Sequence, residues 1–225
     1  MLTLGFSLQF SKEAHLSVNL ISQMLDYNCQ AIEVDVSNIK FGKVKELHTL
    51  LKNFSFLSIH ATEDIKNSTD FYEKLCPDIV TVHPNFLSRY LNLPIPNEKI
   101  SVENMDWRQT NGRYPEEMKK IFTDNPKLRF TCDLNHIYTN DLTMKSGKAF
   151  NAFSNLSHYH ISGFGGENLP HCPLYKTRQK VIAESLEKTN RPIIIESFDS
   201  DDISNFRKEF DYIASTIEEL KTTAS

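Results

Sequence analysis

Short apolar runs alternate with longer stretches of helical periodicity along almost the whole chain. Eight of the runs read as strands, near 2–6, 31–35, 55–60, 79–83, 99–103, 128–133, 157–162 and 192–196. Most are rich in Ile, Val, Leu and Phe, the composition of strands buried on both faces. Helical spacing fills the gaps at 11–29, 44–51, 69–75, 114–122, 142–156, 177–188 and 201–220. Ser11 stands in the N-cap position of the first, Pro115 in the first turn of the fourth, and the last carries Ile203, Phe206, Phe210, Ile213 and Ile217 on one stripe. The connection after strand four breaks the rhythm, because Pro84, Pro94 and Pro96 leave room for a turn or two of helix at most. Strict alternation of strand and helix predicts an α/β fold with a parallel sheet. Eight repeats predict a closed (β/α)8 TIM barrel with a short or missing helix after strand four. No linker or low-complexity tract divides the 225 residues, so 1–225 reads as a single domain. An open doubly wound sheet is the rival, but no Gly-x-Gly-x-x-Gly follows the first strand.

Composition narrows the partners. A hydrophobic content of 40% suits a full core, and a formal charge of −4 speaks against an electrostatic nucleic-acid binder without excluding a local basic patch. The expected partner is a small-molecule substrate. Homo-oligomerisation is left open. Cys29, Cys76, Cys132 and Cys172 are scattered without a Cys-x-x-Cys, the pattern of reduced thiols in a cytoplasmic protein. The first residues run straight into a strand pattern, with neither a signal peptide nor a membrane span expected.

The candidate chemistry sits at strand ends. In a parallel barrel those ends converge on one mouth, so His60, His83, Glu103, Asp133, His160 and Glu196 would face one small volume. Carboxylates gathered that closely repel one another unless a cation neutralises them. Mixed nitrogen and oxygen donors suit Zn, Mn or Co, and a carboxylate-rich set with open positions suits Mn or Mg. His136 follows Asp133 by three residues and would reach back from the next loop. His158 competes with His160 from the same face. Gly163, Gly165 and Gly166 mark a tight loop or a phosphate cradle after strand seven. Trp107 follows strand five, placed either to stack on a sugar face or to join the core. Asp199, Asp201 and Asp202 read as N-terminal charge of the last helix.

Val102-Glu103-Asn104, Cys132-Asp133-Leu134-Asn135-His136, His160-Ile161-Ser162, His171-Cys172-Pro173-Leu174 and Ile195-Glu196 resemble the xylose isomerase-like barrel superfamily. That superfamily holds sugar and sugar-phosphate isomerases and epimerases together with endonuclease IV. The resemblance to the isomerase branch implies one divalent metal on Glu103, Asp133, His160 and Glu196. It also implies that Glu103 and Glu196 exchange protons with the substrate and that His136 contacts it. The endonuclease branch implies further metal ligands at His60, His83 and His171. Two departures stand out: Leu169 where that branch has an aspartate, and a glycine-rich Gly163-Phe164-Gly165-Gly166 where epimerases carry an arginine. The expected activity is therefore a metal-dependent isomerase or epimerase with one tight ion and room for a second. The alternatives are an endonuclease IV-like phosphodiesterase and a ligand-binding barrel without turnover.

Overall fold

All eight apolar runs become strands: β1 Leu4–Gln9, β2 Ala31–Asp35, β3 Phe56–His60, β4 Ile79–Val82, β5 Ile100–Glu103, β6 Arg129–Asp133, β7 Leu156–Ile161 and β8 Ile193–Ile195. Each pairs in parallel with the next and β8 returns to β1, so the sheet closes into a barrel. This computed structural model describes residues 2–9, 14–37, 47–197 and 203–223. Around the barrel lie α1 Ala14–Asp26, α2 Leu47–Leu51, α3 Ile65–Leu75, α4 Leu87–Tyr90, α5 Pro115–Asp124, α6 Leu134–Asn140, α7 Gly147–Asn151, α8 Leu174–Thr177, α9 Lys180–Glu184 and α10 Ile203–Thr223. The single turn of α4 is the short helix that the prolines after strand four impose. No described helix is long and apolar enough to cross a membrane.

The structure departs from the sequence expectation at several elements. Strand β1 runs on to Gln9, because its pairing with β2 continues to the Gln9–Asp35 register. Helix α3 starts at Ile65, before the predicted 69, because the Asp64 side chain accepts from the Asn67 amide at 3.0 Å and caps it. The predicted helix at 142–156 shrinks to α7. Asp141 accepts from the amides of Thr143 and Ser146, which fixes a turn, and the far end of that stretch belongs to β7. The predicted 177–188 helix is broken into α8 and α9 at Arg178, whose φ is 56°. The Ser11 cap, the start of the 44–51 helix and the acidic run at Asp199, Asp201 and Asp202 lie outside the described residues.

Inside the barrel the period-two geometry of the strands builds layers. Ala31, Phe56, Ile79 and Ile194 form a separate apolar plug. Two residues further along their strands, Glu33, Ser58 and Thr81 form a fully buried polar layer, joined by Ser101, Thr131 and His158. One more step upward is the mouth. The larger apolar core lies between the sheet and the surrounding helices.

Candidate metal centre

Four strand ends deliver the central group. Glu103 ends β5, Asp133 ends β6, His160 lies in β7 and Glu196 follows β8 directly. Asp133 and His160 are completely buried, Glu103 is 1% exposed and Glu196 7%. Nδ1 of His160 lies 2.9 Å from Glu103 Oε1 and 3.2 Å from Glu196 Oε1, so one imidazole ties two carboxylates together. His158 instead points into the layer below, with Nε2 3.2 Å from His160 Nε2 and its ring 5.2 Å from Phe56.

His60 and His83 complete a second group on the same glutamate. Each places Nε2 3.2 Å from Glu103 Oε2, and their rings meet edge to face. A third group is Asp133, His136 and His171, with the two imidazole rings 5.4 Å apart. In each group the donor atoms lie within 4.8 Å of one another. Glu103 and Asp133 are shared between groups.

Local structure fixes these side chains. Helix α6, absent from the sequence expectation, begins at the residue after Asp133, whose Oδ1 caps it by accepting the His136 amide at 2.8 Å. His136 is therefore a first-turn helical residue, not a loop residue. Its Nδ1 donates to the Asn104 carbonyl at 2.8 Å, which leaves Nε2 for a ligand. Asn104 extends the β5–β6 pairing with its amide: it donates to the Asp133 carbonyl at 2.9 Å and accepts the Asp133 amide at 2.8 Å. Nδ1 of His171 lies 3.1 Å from Ser162 Oγ, across a hairpin closed by the Gly163–Cys172 bridge. A Cβ on Gly163 would stand 2.3 Å from Thr177 Oγ1, so this glycine answers to close approach.

The electrostatics describe buried carboxylates and imidazoles that perturb one another. Burial alone would raise Glu103, but the His160 charge and the hydrogen bonds from His160, His60 and His83 hold it well below the carboxylate range. Glu196 is lowered against burial by His160. Burial pulls His60 down, yet the Glu103 hydrogen bond and nearby carboxylates raise it to about 10. His160 is pushed well up against burial by Glu196, Glu33 and Glu103. Burial lowers His171 to about 4, so it stands neutral and able to donate a lone pair. Asp133 has the opposite fate: burial first, then Glu103 and Glu196, raise it to about 7.

This set fits a divalent cation. Asp133 Oδ2 is buried with no hydrogen-bond partner, an arrangement that costs free energy unless something electropositive meets that oxygen. Nitrogen and oxygen donors converge on it from three further strand ends.

Above the group opens a cavity of about 200 Å³, lined among others by His60, His83, Glu103, His136, His171 and Glu196. Sequence reasoning missed three contributors. Glu33 lies beneath the mouth, fully buried. Asp106 and Arg108 line the cavity from the loop after β5, where Asp106 accepts from the Arg108 amide at 2.9 Å and binds its guanidinium through Nε and Nη2. Arg108 is the one Lys or Arg among the described residues lining the cavity. Trp107 between them is 39% exposed and is not among the lining residues.

No family model matches the chain, and no curated protein matches it. Solved structures do. A xylose isomerase domain containing protein from Salmonella typhimurium superposes with a TM-score of 0.64 at 10% identity, covering 96% of this chain and 97% of that one. Phospho-2-dehydro-3-deoxyheptonate aldolase from Thermotoga maritima gives 0.61 at 11% identity, over 97% of this chain and 69% of that one. The dihydropteroate synthase (DHPS) of Yersinia pestis gives 0.56 at 12% identity, over 95% and 93%. These likenesses establish the fold: the chain is a TIM barrel whose structural neighbours include a xylose isomerase-like protein and several other enzymes.

Proposed function

We propose that the chain is a metal-dependent isomerase or epimerase of a small sugar, sugar phosphate or related hydroxy-carbonyl compound. The observation that carries this reading is the pair Glu103 and Glu196, set on either side of His160 Nδ1 at the floor of a small polar cavity. Glu103, Asp133, His160 and Glu196 would hold the ion, with Mn, Zn, Mg or Co as candidates for this donor set. When bound, it would supply Lewis acidity to the oxygens of a substrate.

The chain's own residues do the rest. Of the two glutamates, one takes the proton from the carbon beside the carbonyl and the other returns it, the division of labour that epimerisation requires and that isomerisation can use. Nε2 of His136 is left for a substrate hydroxyl, because its other nitrogen is spent on Asn104. Arg108, oriented by Asp106, presents its remaining guanidinium N–H groups at the cavity, donors that suit a substrate phosphate or carboxylate group. The cavity of about 200 Å³ falls below the roughly 300–1,000 Å³ typical of sites for drug-sized ligands, which supports a small substrate.

A second reading rests on the group His60, His83 and Glu103. A glutamate whose two oxygens serve two neighbouring donor groups suits a pair of ions, and paired ions suit phosphoester hydrolysis. One experiment separates the readings. Protein loaded with Mn²⁺ or Co²⁺ is incubated in D₂O with a panel of ketoses, aldoses and their phosphates, and in parallel with a bis-aryl phosphate ester. Deuterium uptake at the carbon beside the carbonyl, lost in Glu196→Gln, is the expected result. Ester cleavage without any uptake would replace the proposal with the second reading. Stoichiometric metal with neither activity would leave a binding barrel without turnover.

A further inference from the structure

Beneath the mouth, a carboxylate sits where a barrel interior is ordinarily apolar. Glu33 in β2 is 0% exposed and takes hydrogen bonds from three strands: Ser7 Oγ to Oε1 at 3.2 Å, Ser58 Oγ to Oε2 at 2.9 Å and Thr81 Oγ1 to Oε2 at 3.1 Å. Three residues of the barrel interior are thus committed to holding one carboxylate in one place. Its Oε2 meets Nε2 of His160 at 3.2 Å, while the other ring nitrogen, Nδ1, is the one beside Glu103 and Glu196. His158 Nε2 is the other neighbour of that nitrogen, at 3.2 Å, and itself lies 3.8 Å from Glu33 Oε2. A carboxylate outcompetes a neutral imidazole for an N–H.

We propose that Glu33 is a positioning residue that fixes which nitrogen of His160 faces the site, and so builds the metal centre from below. By accepting the Nε2 proton, Glu33 keeps Nδ1 as the nitrogen directed at Glu103 and Glu196. A metal-ligating histidine whose other N–H is donated to a carboxylate is held in one tautomer and one ring orientation, and is a more basic ligand. The hydroxyls of Ser7, Ser58 and Thr81 satisfy the remaining lone pairs, so the buried charge is tolerated before any ion binds. This rests on the proposed metal reading of the mouth only for its consequence, not for the hydrogen bond itself.

Two measurements test it. The first is Zn²⁺ affinity by competition with a chelating dye, together with the thermal midpoint of each variant. Glu33→Ala is expected to lose about 10–100-fold in affinity, the usual cost of removing such an outer partner. Glu33→Gln, whose amide oxygen still accepts from Nε2, is expected to lose several-fold. Folded variants that bind as tightly as the wild type overturn the proposal, and Glu33→Gln carries this arm if Glu33→Ala does not fold. A purely structural Glu33 would lower the midpoint and leave the affinity alone. The second measurement uses metal-free protein labelled with ¹⁵N-histidine. Nε2 of His160 is expected to carry a hydrogen-bonded proton whose resonance moves upfield in Glu33→Gln. An unprotonated Nε2, or a resonance that stays in place, overturns the proposal whether or not any ion binds. Failure of the wild type to bind a divalent ion would instead sink the metal reading, leaving the spectrum to decide the role of Glu33.

Discussion

At the residue scale, Asp133 carries the sharpest conflict between folding and function. Its carboxyl is raised from 3.8 to about 7, chiefly by burial and then by Glu103 and Glu196. The folded state therefore holds this proton more tightly than the unfolded chain. The contribution to stability is complete below 3.8 and is lost as pH rises through about 7. Asp133→Asn keeps the oxygen that caps α6 and removes the charge. The metal-free variant should gain on the metal-free wild type between pH 5 and pH 8, by a few degrees in Tm, since about 1 kcal/mol moves a domain of this size by roughly 2–4 °C. Saturating metal should then reverse the order. The wild type gains about 2.7 kcal/mol at a hundredfold excess over Kd, and the variant gains only what the weaker His60, His83 and Glu103 group supplies. Thermal melts at both pH values, with and without Mn²⁺, check this; a metal-induced rise in the Asp133→Asn melt as large as the wild type's would show that Asp133 is not a ligand. The residue scale is also where sequence reading singled out some residues of the mouth and passed over others. Glu103, Asp133 and Glu196 stood out in the sequence because each carboxylate comes at the end of a β-prone run, where an unpaired buried charge is costly. Glu33 had the same signal, an acid between Ile32 and Val34, but Glu33 and Asp35 together mimic the polar face of a half-exposed strand. Arg108 gave no signal, since only the folded loop brings it over the cavity.

At the element scale, strand existence was legible and helix extent was not. The strands are short apolar runs buried on both faces, a pattern that survives any tertiary context. Helix α6 escaped notice because it begins where β6 ends, with no polar linker between them; Asp133 serves at once as strand end, helix cap and site residue. Two predictions belong here. Gly5 packs so tightly against β2 that an added Cβ would lie 1.6 Å from the Ala31 carbonyl oxygen, backbone that cannot swing aside. Gly5→Ala should break the β1–β2 pairing and give insoluble protein or one that melts far below the wild type. A soluble variant with a Tm within a few degrees would mean that the β1–β2 register is wrong. Asn104 joins two elements instead of belonging to one. Asn104→Ala strands the buried amide of Asp133, at about 1–3 kcal/mol; the Asp133 carbonyl keeps the first bond of α6. It should lower both Tm and metal affinity, because the same backbone positions the Asp133 carboxylate. Calorimetry and metal competition on the one variant read both effects, and a loss of Tm with intact affinity would separate the brace from the site.

At the scale of the whole molecule, charge decides what the mouth can hold. A net charge of −4 and a cavity of about 200 Å³ predict little affinity for duplex DNA at physiological salt, which gel-shift titration or nicking at an abasic site would test. Metal-dependent nicking that vanishes in His83→Ala would move the assignment to the phosphodiesterase reading. The number of ions follows from the same balance. Five donor groups converge among the described residues, two of them drawing on Glu33 from below; at the mouth itself the anionic members are Glu103, Asp133 and Glu196, and each of these is shared between groups. Unit charges about 4 Å apart at an effective dielectric of about 20 repel by about 4 kcal/mol, and doubly charged ions by about four times that. Three divalent ions would thus outweigh the three carboxylates facing them. The four-ligand group Glu103, Asp133, His160 and Glu196 should fill first and hold its ion tightly. His60 and His83, with half of Glu103, should take a second ion weakly. The group at Asp133, His136 and His171 lacks a carboxylate of its own: Leu169, two residues before His171, is an exposed leucine that coordinates nothing. Leu169→Asp supplies the missing charge and should add a bound ion or strengthen the weak one. Metal counting by mass spectrometry and anomalous scattering, on both proteins across a range of Zn²⁺ concentrations, reads the ladder directly. Three ions at full occupancy in the wild type would show that the histidines alone compensate the repulsion, and this account of the mouth would be wrong.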